Sequence, residues 1–402
     1  MQITENGHLT YCTNIHPGET WDEVFESLKK YSVTIKDKLV TETPLGIGLR
    51  LSKISAEQLL EGIHLAEFKI WLDVNNLYVF TMNGFPYGDF HNVVIKDQVH
   101  TPDWTTRERV DYTANLVEIL TELLPEGLDG GISTSPLSYK LWFDSPEKLD
   151  TVKSIATKSL IEIVAQLVEV KNTTGKTIHI DLEPEPDGML ENTQEVIDYY
   201  KYFLLKEGVS NLQEKIGGTA EASKSYLLEH IQLCYDVCHF ALAYEYPEEV
   251  IAQLSAEGIK VGKIQISAAL KCEKSDSISI QEQQNCLEQF NEPTYLHQAI
   301  VKNETGDLTH YSDLSEGIQA MEASDFKEIR THFHVPVFVS NFQLLNSTQQ
   351  DIIDTLKLWK LNKFTNHLEV ETYTWVVLPE HLQTDITNSI VRELDWVRLQ
   401  LN

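Results

Sequence analysis

The chain has 402 residues, with 32 Lys+Arg against 61 Asp+Glu and a formal net charge of −29. Its 42% hydrophobic and 23% charged residues exclude disorder, collagen and coiled coil as descriptions of the whole chain. Such a negative field repels a phosphate backbone and an anionic bilayer surface, so no nucleic acid and no membrane surface is expected as a partner.

The opening MQITENGHLT has neither a basic nor an apolar signal region. No run of about 18 uncharged apolar residues follows anywhere, so no membrane insertion is expected and the expected location is cytoplasmic. The first predicted strand is Leu9–Thr13. Thr20-Trp-Asp-Glu23 then reads as a capping box opening a helix with Trp21, Val24, Phe25 and Leu28 on one stripe. Leu45–Leu51 is the second strand, and Ser55-Ala-Glu-Gln58 opens a helix towards Leu72. Leu77–Met82 is the third, followed after a long loop by a helix over Thr106–Leu124 that stops before Pro125 and Gly127. Gly130–Ser135 precedes a helix over Pro146–Val170. Thr177–Glu183 precedes one over Thr193–Lys206, and Ile231–Asp236 one over Pro247–Glu257. Lys260–Ser267 is the seventh strand.

The rhythm then breaks. Residues 268–329 show few helix or strand periods, apart from a short helix at Ser315–Met321, and read as an insertion. Thr331–Val339, Ser347–Leu361, His367–Thr372 and His381–Leu401 follow as strand, helix, strand and helix. Nine strand candidates for an eight-fold alternation leave one extra, and Thr331–Val339 beside the insertion is the one chosen. The βα alternation predicts a parallel sheet, and eight units predict a closed (β/α)8 TIM barrel. An open nucleotide-binding sheet is disfavoured because neither G-x-G-x-x-G nor G-x-x-x-x-G-K-[ST] occurs. Gly46 and Gly48 inside a strand read as close backbone packing. With no low-complexity linker, residues 1–402 are expected to be one domain carrying the 268–329 insertion. The five cysteines, Cys12, Cys234, Cys238, Cys272 and Cys286, read as free thiols.

Barrel chemistry sits at the C-terminal ends of the strands. His179, Asp181 and Glu183 share one face by period two, and Pro184 and Pro186 stop the strand just past Glu183. Asp236 ends the sixth strand, with His239 three residues on, a spacing that suits a metal or a substrate hydroxyl and equally an Asx turn with a packed histidine. Lys263, Gln265 and Ser267 share a face; Gln265 offers a hard oxygen ligand or closes a polar network. His367, Glu369 and Glu371 share another, and inward carboxylates there call for a cation. His332 and His334 form an H-x-H pair able to aim two imidazoles at one ion. His297 and His310 read as surface residues. The expected metal ligands are Glu183, Asp236, Gln265 and Glu371, with Glu369 and His334 as substitutes if the parity is shifted.

The succession Glu183, Asp236-x-x-His239, Gln265, Glu371 resembles the metal site of the xylose isomerase-like barrels, which include the ketose epimerases. Leu182-Glu183, Asp236-Val-Cys-His239 and Val370-Glu371-Thr-Tyr373 match three epimerase motifs, and Gln265 stands where those enzymes have a histidine. A denser resemblance is to the EboE family of metabolite traffic proteins, carried by HLTYCTNIHPGE, NGFPYGDFH, PDWTTRER, ISTSPLSY, LEPEPDG, CYDVCHFA, KIQIS, THFHVP and HLEVETYTW between residues 8 and 375. It implies a sugar isomerase-like barrel with a divalent metal ion (Mn, Mg or Zn), acting on a small-molecule metabolite of a biosynthesis or export pathway. By the epimerase resemblance Glu183 and Glu371 would be the acid/base pair; His239, His16 and Asn83, with His334 of the H-x-H pair, are the residues expected to contact substrate. His91 fits the same rim, while Arg107 and Arg109 would either pair with a phosphate or carboxylate or simply charge a helix start. Two functions remain open: metal-dependent proton transfer on a polyhydroxylated metabolite, or a non-catalytic binder or carrier.

Overall fold

The protein is described by a computed structural model that covers residues 1–5, 7–40, 42–88, 95–323, 325–376, 378 and 385–401. Short apolar-alternating segments become strands and amphipathic ones become helices in strict succession. They run β1 (His8–Tyr11), α1 (Trp21–Leu39), β2 (Leu45–Arg50), α2 (Lys53–Leu60), α3 (His64–Val74), β3 (Leu77–Asn83), α4 (Arg107–Leu123), β4 (Gly130–Thr134), α5 (Pro146–Thr174) and β5 (Ile178–Leu182). After these come α6 (Thr193–Tyr199), α7 (Leu205–Ile216), α8 (Ala220–His230), β6 (Ile231–Asp236), α9 (Val237–Leu242), α10 (Pro247–Ala256) and β7 (Val261–Ile266). The Thr20 capping box forms: its hydroxyl accepts from the Glu23 N–H at 3.4 Å and Glu23 Oε2 accepts from the Thr20 N–H at 3.0 Å. The second expected box does not. Ser52, not Ser55, caps α2, and the single helix expected to reach Leu72 is two helices parted at Gly62, whose φ of +58° breaks the first. The expected 193–206 helix passes through a π turn (Tyr200–Leu204) into α7, and the polar α8 was not expected.

Between β7 and the next barrel unit lie β8 (Ala269–Glu273), α11 (Ile280–Leu287), β9 (Ala299–Asn303), β10 (Leu308–Tyr311), α12 (Leu314–Ala323), β11 (Phe326–His334), β12 (Asn341–Phe342) and β13 (Leu345–Ser347). They form a second, six-stranded sheet in the order β10-β9-β11-β8-β13-β12. The segment expected to be nearly featureless is thus an antiparallel sheet, and it runs past residue 329 to Ser347. The Thr331–Val339 segment does lie outside the barrel sheet, but its strand begins earlier, at Phe326, and ends at His334.

The chain closes with α13 (Gln349–Asn362), β14 (His367–Val370) and α14 (Ile386–Leu401). Eight parallel strands lie in the order β1-β14-β7-β6-β5-β4-β3-β2, and a parallel bridge between Cys12 and Gly48 joins the two ends. The fold is a (β/α)8 barrel. Along β5 and β7 the apolar Ile178, Ile180, Leu182, Ile264 and Ile266 are buried beneath the helices, while the alternate His179, Asp181, Lys263 and Gln265 are buried in the barrel interior. Gly48 makes room there: a Cβ at that position would lie 1.5 Å from Glu369 Oε1. Among the described residues, no helix is long and apolar enough to cross a membrane.

Candidate active site at the barrel mouth

Four adjacent strands deliver the mouth residues. Beyond β5 the ladder continues for one residue, the Glu183 N–H donating to the Thr134 carbonyl at 3.0 Å, and Pro184 then ends it for lack of an N–H. Beyond β14, the Glu371 N–H donates to the Ile266 carbonyl at 3.1 Å. Asp236 closes β6 opposite Gln265 of β7 in the ladder. These placements set Glu183, Asp236 and Glu371 so that one oxygen from each lies within 4.8 Å of the others, all three side chains being buried.

The oxygens are not equivalent. Asp236 Oδ1 accepts from the Ser267 hydroxyl at 2.6 Å and from the His239 N–H at 3.2 Å. Glu371 Oε1 accepts from the amides of Asn14 at 2.7 Å and Asn83 at 2.9 Å. Among the described residues, Asp236 Oδ2, Glu183 Oε2, both amide atoms of Gln265 and His334 Nε2 are buried without a hydrogen-bond partner. Buried polar groups are nearly always paired, so this many converging at one strand-end rim points to a missing ligand.

Two histidines reach this rim from the second sheet. His334 ends β11, and its Nδ1 lies 2.9 Å from the Glu371 carbonyl. A carbonyl only accepts, so Nδ1 carries the hydrogen. Burial pushes the imidazole below its ordinary pKa and keeps it neutral, so Nε2 is a bare lone pair. One ring nitrogen of His334 lies within 4.8 Å of ligand atoms of Asp236 and His239. By the same logic His239 Nδ1 donates to the Pro184 carbonyl at 2.9 Å. Gln298 donates to the Pro186 carbonyl at 2.9 Å, so its Oε1 accepts from His332 Nδ1, also at 2.9 Å. His239 Nε2 and His332 Nε2 then face one another at 3.1 Å, two lone pairs that call for a proton or a cation between them. Burial, and then the neighbouring His239, push the His332 imidazole well below its ordinary range.

Glu183 and Glu371 are both held well above the ordinary carboxylate range, first by burial and then by the other acids of the cluster. Ionised together, three buried carboxylates this close would repel one another, so the cluster calls for protons or for a cation. The donor set, carboxylate oxygens with one bare imidazole nitrogen and an amide, fits a divalent cation of the Mg²⁺, Mn²⁺ or Zn²⁺ kind. A cavity of about 70 Å³ opens above it, lined by Asn14, Asn83, His100, Glu185, Tyr295 and Tyr373 among others.

Other expected site residues lie elsewhere. Glu369 is no substitute ligand: it pairs with Lys263 Nζ at 2.7 Å in the barrel interior. His16 stacks on Tyr31 at a centroid distance of 4.3 Å and meets the Tyr11 hydroxyl at 3.1 Å, away from the mouth cavity. Arg109 is buried and outside the mouth cavity; its Nε donates to the Pro102 carbonyl and its Nη1 to those of Gly84 and Phe85, while Nη2 has no hydrogen-bond partner among the described residues. Arg107 is exposed and pairs with Asp111 and Glu162. His91 falls outside the described residues. His297, expected at the surface, is buried between the His332 carbonyl and Glu292, each at 2.8 Å. Asn14 and Glu185 were not singled out. Asn14 follows the first strand just as Asn83 ends the third, and Glu185 sits in the Glu-Pro-Glu-Pro run.

No protein-family model and no curated protein matches the chain. Solved structures of similar shape include a xylose isomerase-like TIM barrel protein from Mycobacterium smegmatis in complex with magnesium (11% identity, TM-score 0.49, covering 100% of this chain and 98% of that one). A D-tagatose 3-epimerase-like protein is similar at 11% identity and TM-score 0.49, covering 98% and 97%. The D-allulose 3-epimerase of Methylomonas sp. in complex with D-allulose is similar at 9% identity and TM-score 0.48, covering 100% and 99%. At such identities and scores these likenesses support no conclusion about the chemistry of this chain.

Proposed function

We propose that the chain is a metal-dependent isomerase or epimerase that moves a proton next to a carbonyl of a small, uncharged polyhydroxylated metabolite. The observation that carries this reading is the buried Glu183–Asp236–Glu371 cluster, one oxygen of each within 4.8 Å of the others. Glu183, Asp236 and Glu371 would hold the ion together with His334 Nε2, which takes the place of the strand-seven histidine that Gln265 replaces. A bound divalent ion supplies Lewis acidity towards a substrate oxygen. Glu183 is the better proton acceptor, because its Oε2 has no hydrogen-bond partner among the described residues and burial holds its proton affinity well above that of an ordinary carboxylate. Glu371, anchored by two amides, is oriented for the opposite side of the same transfer.

An uncharged substrate is favoured by the cations. Among the described residues lining the cavity, the one Lys or Arg is Lys96, and it already pairs with Asp313 at 2.7 Å. The EboE resemblance adds a metabolite of a biosynthesis or export pathway to this reading. The test is deuterium uptake from D₂O into candidate ketoses with Mn²⁺ present, for wild type, Glu183→Gln and Glu371→Gln. Loss of exchange by roughly 10²–10⁴-fold in both variants supports proton transfer by these carboxylates. Saturable sugar binding by a wild type that exchanges nothing replaces this reading with that of a carrier.

A further inference from the structure

The opposite end of the barrel carries a second cluster that the proposed reaction does not use. Asp129 precedes β4, His179 lies in β5 and His367 opens β14. His179 sits four residues before Glu183 on its strand, about 13 Å from the mouth at the usual rise. His179 Nε2 lies 3.7 Å from Asp129 Oδ2, and His367 Nε2 lies 3.6 Å from Asp129 Oδ1. One ligand atom from each of the three falls within 4.8 Å of the others. We propose that Asp129, His179 and His367 form a second cation site, at the N-terminal end of the barrel, suited to a borderline ion of the Zn²⁺ type.

The spacing is close to what such an ion needs. Bonds of about 2.0–2.2 Å in a tetrahedron put neighbouring ligands about 3.3–3.6 Å apart. The supporting shell is in place as well. His179 Nδ1 donates to Asp181 Oδ1 at 2.7 Å, the carboxylate–histidine arrangement that turns the other ring nitrogen to a metal. The other oxygen of Asp181 and His367 Nδ1 are both buried without partners among the described residues. Both converge on one point: a Cβ on Gly131 would lie 2.7 Å from Asp181 Oδ2 and 2.8 Å from His367 Nδ1. Only a glycine leaves that point free, and a proton on His367 Nδ1 would face Asp181 across it. Both imidazoles would then be backed by one aspartate.

As the cluster stands, His367 Nε2 donates to the Asp129 carbonyl at 3.1 Å, so binding moves that proton. Access is through Asp129, whose side chain is 34% exposed, and through Asn366, which donates to its Oδ1 at 2.9 Å.

The test is an anomalous difference map at the zinc edge from wild-type crystals of chelator-treated protein given two equivalents of Zn²⁺. Metal is counted in parallel by elemental analysis after dialysis. The expected result is a peak between Asp129, His179 and His367, and one equivalent fewer in Asp129→Asn than in wild type. The Glu183→Gln/Glu371→Gln double variant should keep this equivalent, so the two sites fail or stand separately. No peak at this end, or an undiminished count in a folded Asp129→Asn, overturns the proposal. If that variant does not fold, the wild-type map decides alone.

Discussion

Two buried charge clusters lie on neighbouring barrel strands and are resolved in opposite ways. In the interior, Lys263 Nζ meets Glu369 Oε2 at 2.7 Å, the Ser133 hydroxyl at 3.3 Å and the Met82 carbonyl at 3.2 Å, with both charged side chains fully buried. At the mouth, two residues along from Glu369, Glu371 sits beside Glu183 and Asp236, three acids within 4.8 Å of one another. Burying a charge is tolerable when its partner is buried with it. In the interior each charge is matched by the other, although Glu369 Oε1 has no hydrogen-bond partner among the described residues, whereas the mouth acids are matched only by a cation or by protons. The contrast separates a structural charge from one kept for a ligand, and it does so without reference to any other protein.

The largest way to break the comparison is Lys263→Met. It strands Glu369 in the interior, and the expected loss is about 3–5 kcal/mol of unfolding free energy in urea titration. A Lys263→Met/Glu369→Leu double variant should recover most of it. If the single variant is as stable as wild type, the pair is not the self-sufficient element described.

A smaller effect sharpens the mouth. Asn83→Leu removes the 2.9 Å hydrogen bond that orients Glu371. Metal affinity by calorimetric titration should fall about 10–100-fold while the fold is retained. An unchanged affinity would mean that Glu371 needs no such anchor.

The smallest effect is on pH dependence. In metal-free protein Glu183 and Glu371 have raised folded-state pKa values, against about 4.3 unfolded. Their contribution to stability is therefore fully present below the unfolded value and is lost as pH rises towards the folded ones. Between pH 5 and 8, chelator-treated wild type should lose stability relative to the Glu183→Gln/Glu371→Gln double variant, by on the order of 1 kcal/mol per group. A flat difference would contradict the burial argument.

The barrel and its acidic rim are legible in the sequence for one reason. Period-two alternation on a strand buried on both faces puts apolar residues outward and leaves Glu183, Asp236, Gln265 and Glu371 inward, and the two prolines mark where one strand stops. His334 is another matter. Its strand, β11, is placed by antiparallel pairing with β8 and β9, with a register shift between Thr331 and His334. Those pairings join residues some thirty to sixty positions apart, and no local pattern encodes them. The same cause hid the second sheet. Its edge strand β10 is largely exposed and reads as polar loop, so the insertion was cut at 329, in the middle of the strand that carries the histidines. The roles of Glu369 and His16 were equally non-local, fixed by Lys263 on a neighbouring strand and by Tyr31 on α1.

The central claim is that the mouth cluster is a cation site made by uncompensated buried carboxylates. Equilibrium dialysis of Mn²⁺ against chelator-treated wild type and the Glu183→Gln/Glu371→Gln double variant tests it most directly, at pH 7 with both proteins verified as folded. The account predicts that wild type holds one more ion per chain than the variant and releases protons on binding it. Equal occupancy in the two proteins would contradict it.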